Sequence, residues 1–301
     1  MSTTQLDDPE FLAIAAQQPD NIDEALVCMQ KGLEYFHETH DRRAIFLRLY
    51  YMMTLEVHAA INGCGDYENR QVFIDPAWVF RLSGKFSTLY FKSLMAPEGD
   101  RAWRLAYEVA QRRGSSVVEN ALLGINAHIN FDLPRAIAKN LEDEDLSDFT
   151  TVQKRKFDHD QVNNLLVRTL NPVQRVLARD YEPGIAAADW LLGDLDERVS
   201  EEALRHYRER VWWDAIAYAA APTDKDRLIV RNKLEWQSYR IAKRLSRSQW
   251  MWGTERALNY VVGPLRKNRW NAISIEQPCQ KHDEPDVERP VGEIGRSPMP
   301  A

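Results

Sequence analysis

The sequence predicts an all-α fold, a single-domain multi-helix bundle of about nine or ten helices, on three observations. Helix start and stop signals recur along most of the chain. The apolar residues between them fall at helical rather than alternating spacing. Strand-like composition is confined to Val72-Phe73-Ile74.

The elements follow in order. Asp8-Pro9 opens a short helix with proline at its first position. Asn21 with Glu24 forms a capping box for a helix to about His40. A third helix runs from about Arg42 to Ile61 and stops at Gly63. Asp75-Pro76 starts a fourth, through Met95, and Pro97 a fifth that ends at Gly114. Ser116 with Glu119 opens the next, to about Leu141. Asp158 with Gln161 repeats the device for a helix that Asn171-Pro172 bends. Ser200 followed by Glu201 and Glu202 starts a helix to Ala221, Thr223 one to about Ser246, and Trp250 to Tyr260 forms the last. The acidic run Glu142 to Asp148 and the basic Lys154-Arg155-Lys156 read as a long solvated loop. After Ala272, Pro, Glu, Asp and Gly dominate. The helical domain is therefore expected to span 1–272, with 273–301 a flexible tail that buries too little surface to offset its ordering entropy.

Composition narrows the function classes. The chain has 301 residues, 44% hydrophobic and 28% charged, and is long enough to bury a core unaided. A net charge of −6 disfavours a nucleic-acid partner. Between Lys225 and Arg269 stand twelve Lys/Arg against three Asp/Glu, interleaved with Trp236, Trp250 and Trp252. That stretch reads as amphipathic helices with snorkelling arginines and core tryptophans, or as a surface for anionic lipid or nucleic acid. Cys28, Cys64 and Cys279 are sparse and widely spaced, as in a reduced cytoplasmic protein. No signal-peptide pattern or transmembrane run is read. The expected partner is a small, partly apolar molecule.

The segment Ala121 to Pro134 carries the chemistry. It is too apolar to face water, yet it contains Asn126, His128, Asn130 and Asp132. Buried polar groups cost about 1–3 kcal/mol each unless partnered, so four within seven residues need a shared reason. His128 and Asp132 are one helical turn apart on one face. They form either half of a zinc or iron site or a hydrogen-bonded core pair. Pro134 removes the donor for the Asn130 carbonyl, so a kink is expected there. Further along, His159 and Asn163 share a face and Asp160 neighbours them. In the apolar third helix, Arg48 and Glu56 are the only charged side chains within Ala44 to Ile61, and Glu56 needs a buried partner. The E-x-x-H of Glu34 and His37 occurs once, where a di-iron bundle needs two copies. No P-loop, G-x-G-x-x-G, G-x-S-x-G or H-E-x-x-H is present.

The run GINAHINFDLP (124–134) followed by DHDQVNNLL (158–166) resembles a bacterial domain-of-unknown-function family marked by G-x-N-A-H-I-N-x-D-L-P and D-H-D-x-V-N. The resemblance covers roughly Leu47 to Leu245 and implies an all-helical fold. More locally, Leu123-Gly124 followed by His128, Asp132 and Pro134 is similar to the central helix of zinc-dependent phospholipase C and related single-strand nucleases. That similarity would make His128 and Asp132 zinc ligands.

Three functions follow. In a metal-dependent enzyme, hydrolytic by its activated water, His128, Asp132, His159, Asp160 and Glu56 hold zinc or iron. Asn126, Asn130 and Asn163 then contact substrate or orient the ligands. In a metal-free cyclase or isomerase, His128 backed by Asp132 is the acid or base. In a non-catalytic module, the cluster only fixes helix packing.

Overall fold

The computed structural model describes residues 8–95, 100–112, 114–181, 197–247 and 273–279; over 197–206 only the helix path is described. The described residues are all-α, with no strand among them, and Val72-Phe73-Ile74 is a connection. The helices are α1 (Pro9–Ala15), α2 (Ile22–Glu38), α3 (Arg43–Asn62), α4 (Pro76–Met95), α5 (Arg101–Ala110), α6 (Val117–Ala127), α7 (Leu133–Asn140), α8 (Phe149–Tyr181), α9 (Glu197–Ala219) and α10 (Asp224–Arg247). A wide π turn, His128–Asp132, joins α6 to α7 into one nearly continuous rod.

The caps account for most of the boundaries. The Asp8 carboxylate accepts from the amides of Glu10 and Phe11. Asn21 and Glu24 bond reciprocally, and Ser116 Oγ accepts from Glu119 N. Asp75 caps α4 through Trp78 N, Thr223 caps α10 through Asp226 N, and Gly63 ends α3 at φ +65°. Helix α5 begins at Arg101 behind the cap Asp100, four residues after the expected start at Pro97, which lies outside the described residues.

The expected start of α8 is corrected. Asp148, not Asp158, caps it, accepting from Thr150 N and Thr151 N, so Lys154 to Lys156 are helical rather than loop. Asp158 sits about two and a half turns in, buried, and its oxygens accept from Ile74 N at 2.6 Å and Asp75 N at 3.0 Å. It is a capping carboxylate delivered to the entrance of α4 from another helix. Pro172 lies inside α8 without ending it.

Helix α3 is central, packing on α2, α4, α6 and α8. The 25-residue stretch Arg43–Tyr67 is long and apolar enough by composition to cross a membrane, but 67% of its most apolar window is buried against the rest of the protein, as in a core helix. The buried apolar residues form two clusters. One gathers α1, α2, α5 and α6 around the first half of α3; the other gathers α7, α8 and α9 around its second half. Phe86 of α4 packs against both.

The segment expected as a tail begins at 273, and its first seven residues are described. Residues 273–279 lie as a strap on the core, with Ile273 and Ile275 against it. Arg48, wholly buried in α3, donates to the Ser274 carbonyl at 3.0 Å and pairs with Glu276 at 2.7 Å. Tyr51 OH donates to the Glu276 carbonyl. Cys279 forms a disulfide with Cys64, leaving Cys28 as the free thiol, so the expectation of three reduced cysteines does not hold. The strap's low apolar content hid this, because its anchors are a buried arginine and a sulfur bridge. Residues 280–301 and the helix expected over Trp250 to Tyr260 lie outside the described residues. Trp212 and Trp213 precede the basic stretch, the first fully buried in the core and the second exposed, and Trp236 within the stretch is exposed too.

Candidate active site

His128 opens the π turn, where the Leu133 amide reaches back five residues to the His128 carbonyl. Pro134 cannot donate, and the widened turn adjusts the ladder around it. The turn sets His128 and Asp132 face to face: Nδ1 to Oδ2 is 3.0 Å. Asp132 is wholly buried, and its carboxylate also accepts from Trp103 Nε1 of α5 at 2.9 Å and from the Arg135 guanidinium. Burial pushes His128 below the ordinary histidine range, partly offset by Asp132. The ring is therefore neutral at neutral pH, with its proton on Nδ1 toward the carboxylate. Nε2 is buried without a hydrogen-bond partner among the described residues.

Aromatic rings fix the imidazole's plane. Phe86 stacks on it with centroids 3.6 Å apart and planes 8° apart, and Tyr50 meets it edge-on at 4.3 Å. Phe46 lies 5.6 Å away and can do so because residue 124 is glycine; a Cβ there would sit 2.3 Å from Phe46 Cγ.

His128 forms part of the wall of a cavity of about 160 Å³ at the seam of the two core clusters. Helix α3 contributes Tyr50 and Val57, α4 Leu82 and Phe86, and α8 Leu166. The lining is almost wholly apolar. His159 and Arg208 line it too. His159 is buried, and both its nitrogens face Arg208: Nδ1 lies 3.4 Å from Nη2, and Nε2 lies 3.3 Å from the Arg208 carbonyl. Burial and the Arg208 charge hold His159 well below its usual range, hence neutral.

The other singled-out residues lie elsewhere. Asn126 donates to the Ser238 carbonyl at 2.9 Å, Asn130 donates to Asn126 Oδ1 at 3.0 Å, and Arg210 donates to Asn130 Oδ1 at 3.0 Å. They form a polar brace tying α6 to α10 and α9. Asn163 is buried on α8, outside the cavity lining, with its carbonyl oxygen unpartnered among the described residues. Asp160 pairs with Lys156 at 2.7 Å, and Glu56 accepts from Tyr67 OH. The five metal-ligand candidates therefore do not converge. Asp132 already accepts from three N–H donors, and the nitrogens of His159 are committed to Arg208. Among the described residues no three His, Cys, Asp or Glu side chains are grouped to hold an ion. This donor set does not fit a zinc or iron centre in the present arrangement.

Sequence reasoning missed Trp103, Arg208 and Asp100. The last caps α5 through Trp103 N, and burial together with the Asp132 charge pushes its carboxyl up to about 7. None stands near the His128 motif in sequence, and each acquires its role through helix packing alone.

Fold and site together define an all-helical protein with a small apolar cavity edged by a buried His–Asp pair. The chain belongs to a family of unknown function, DUF5995, whose model matches residues 22–248, from α2 through α10. No curated protein and no solved structure matches it.

Proposed function

We propose that this chain is a metal-free enzyme that moves a proton on a small, largely apolar substrate, in the manner of an isomerase or cyclase, with His128 as the acid–base residue. The observation that carries the reading is the state of one imidazole. Its Nδ1 is committed to a buried carboxylate, while its Nε2 is buried and, among the described residues, unpartnered, on a ring that belongs to the wall of an apolar cavity. A neutral Nε2 is a proton acceptor ready at neutral pH. Asp132 fixes the tautomer and stabilises the imidazolium that forms when the proton arrives, and Trp103 and Arg135 hold Asp132 in place. The proton taken from one atom of the substrate returns to another from the same nitrogen. The substrate is rearranged without net oxidation. The apolar lining strengthens the His–Asp pairing.

The test needs no natural substrate. Wild type and His128→Gln are incubated in D2O with cyclohexanone or phenylacetone, and deuterium uptake into the ketone is followed by mass spectrometry. Uptake above the buffer rate in wild type, unchanged by a chelator and at least ~100-fold slower in His128→Gln, is expected from loss of a general base. Equal rates in the two proteins, or dependence on added metal, would contradict the reading.

A further inference from the structure

Arg208 reaches the cavity wall from α9, and it is only 3% exposed. Burial brings its guanidinium down to about 10, which leaves it charged at neutral pH. Yet it lacks a counter-ion: among the described residues no carboxylate lies within ion-pairing distance. Asp160, the acid whose charge it feels, is held by Lys156. Its Nη2 makes long contacts, 3.4 Å each, to Nδ1 and the carbonyl of His159, and its Nε has no hydrogen-bond partner among the described residues. A buried cation without an anion is costly to keep, and removal of one partner from a buried pair is what ordinarily produces such a state.

We infer that Arg208 is the anchor for a substrate carboxylate, and that the ligand class is a compact apolar monocarboxylic acid. The inference rests on the proposed function in taking the cavity as the substrate site. Three features set the chemistry. A guanidinium presents paired N–H donors that match a carboxylate. One cation in an otherwise apolar lining is balanced by a single negative charge, whereas a phosphate dianion would leave charge uncompensated. The volume, about 160 Å³, suits one ring or a short branched chain, since a dry cavity of ~150 Å³ admits a benzene. His159, neutral and bonded back to the Arg208 carbonyl, positions the guanidinium without competing for the anion. His128, elsewhere on the same wall, is left to the uncharged part of the molecule.

Isothermal titration of phenylacetate, phenylacetamide and toluene into wild type and Arg208→Met tests this. Wild type is expected to bind phenylacetate at least tenfold more tightly than phenylacetamide. Arg208→Met is expected to lose that preference while keeping toluene, and inorganic phosphate is expected not to compete. Equal affinity for acid and amide in wild type, or a preference that survives in Arg208→Met, overturns the inference. Toluene binding with no acid preference overturns it while leaving the cavity reading intact; failure of all three probes to bind wild type overturns both. Wild-type selectivity alone decides the matter should the methionine variant not fold, and Arg208→Lys, which keeps the charge but loses the fork, is then expected to bind phenylacetate at least threefold more weakly.

Discussion

Asp100 is buried beside Asp132, and its carboxyl is pushed up to about 7 by burial first and by the neighbouring charge second. In the unfolded chain it returns to the ordinary value of 3.8. Between those values the folded protein holds a proton that the unfolded chain has released, so this group makes stability fall as pH rises from about 4 to 7. Asp100→Asn keeps a capping oxygen for Trp103 N but cannot ionise. Urea denaturation is expected to find the variant more stable than wild type at pH 8, with the advantage gone near pH 4; an advantage equal at both pH values would contradict the assignment. At this scale the sequence was informative where a polar pair interrupts an apolar helix, as His128 and Asp132 do. It was uninformative about Asp100 and Arg208, whose burial arises from helices distant in sequence. Asn126 and Asn130 show the converse: polar residues beside the site whose work is to brace α6 against α9 and α10.

Helices α3 and α6 cross most closely at Gly124, where a methyl group would meet Phe46 Cγ, Cδ2 and Cβ at 2.3, 2.4 and 2.7 Å. The clash is with the root of a ring held in the core, which cannot swing away as a flexible tip can. Gly124→Ala is expected to destabilise the protein by about 1–3 kcal/mol, as overpacking does, and to loosen the Phe46 contact with His128. Thermal denaturation checks the first, and a shift in the His128 imidazole resonances the second; a variant as stable as wild type would mean that the two helices separate freely. Most helix starts were legible because their caps are local: Asp8, Asn21, Asp75, Ser116 and Thr223 each bond within three residues. The start of α8 was misplaced because two acidic residues ten positions apart both look like caps, and only packing reveals that Asp158 serves a different helix. The π turn was legible as a disturbance at Pro134, though its width was not.

Across the whole molecule, the strap at 273–279 closes the fold. The Cys64–Cys279 bridge spans 215 residues, and a loop of that length removes roughly 5 kcal/mol of chain entropy from the unfolded state in the loop-closure model. Reduction, or Cys279→Ser without reductant, is expected to lower the urea midpoint markedly and to expose Arg48, whose partners Ser274 and Glu276 belong to the strap. An unchanged midpoint would show that the strap adds nothing to stability. No local pattern announces a bridge across 215 residues, and a segment so poor in apolar side chains reads as a tail for sound reasons. The all-α class, by contrast, is written in every turn of the chain, because helix punctuation and periodicity are local properties.

The proposed function depends on a neutral His128 whose δ nitrogen carries the proton and whose ε nitrogen is unpartnered among the described residues, on a ring in the cavity wall. Nitrogen-15 NMR of histidine-labelled protein at pH 7 reads both ring nitrogens directly, with Asp132→Asn assigning the signal. The expected result is a protonated Nδ1, an unprotonated Nε2, and a change at Nε2 when phenylacetone is added. A ring protonated on Nε2, or an Nε2 resonance indifferent to every small apolar molecule offered, would contradict it.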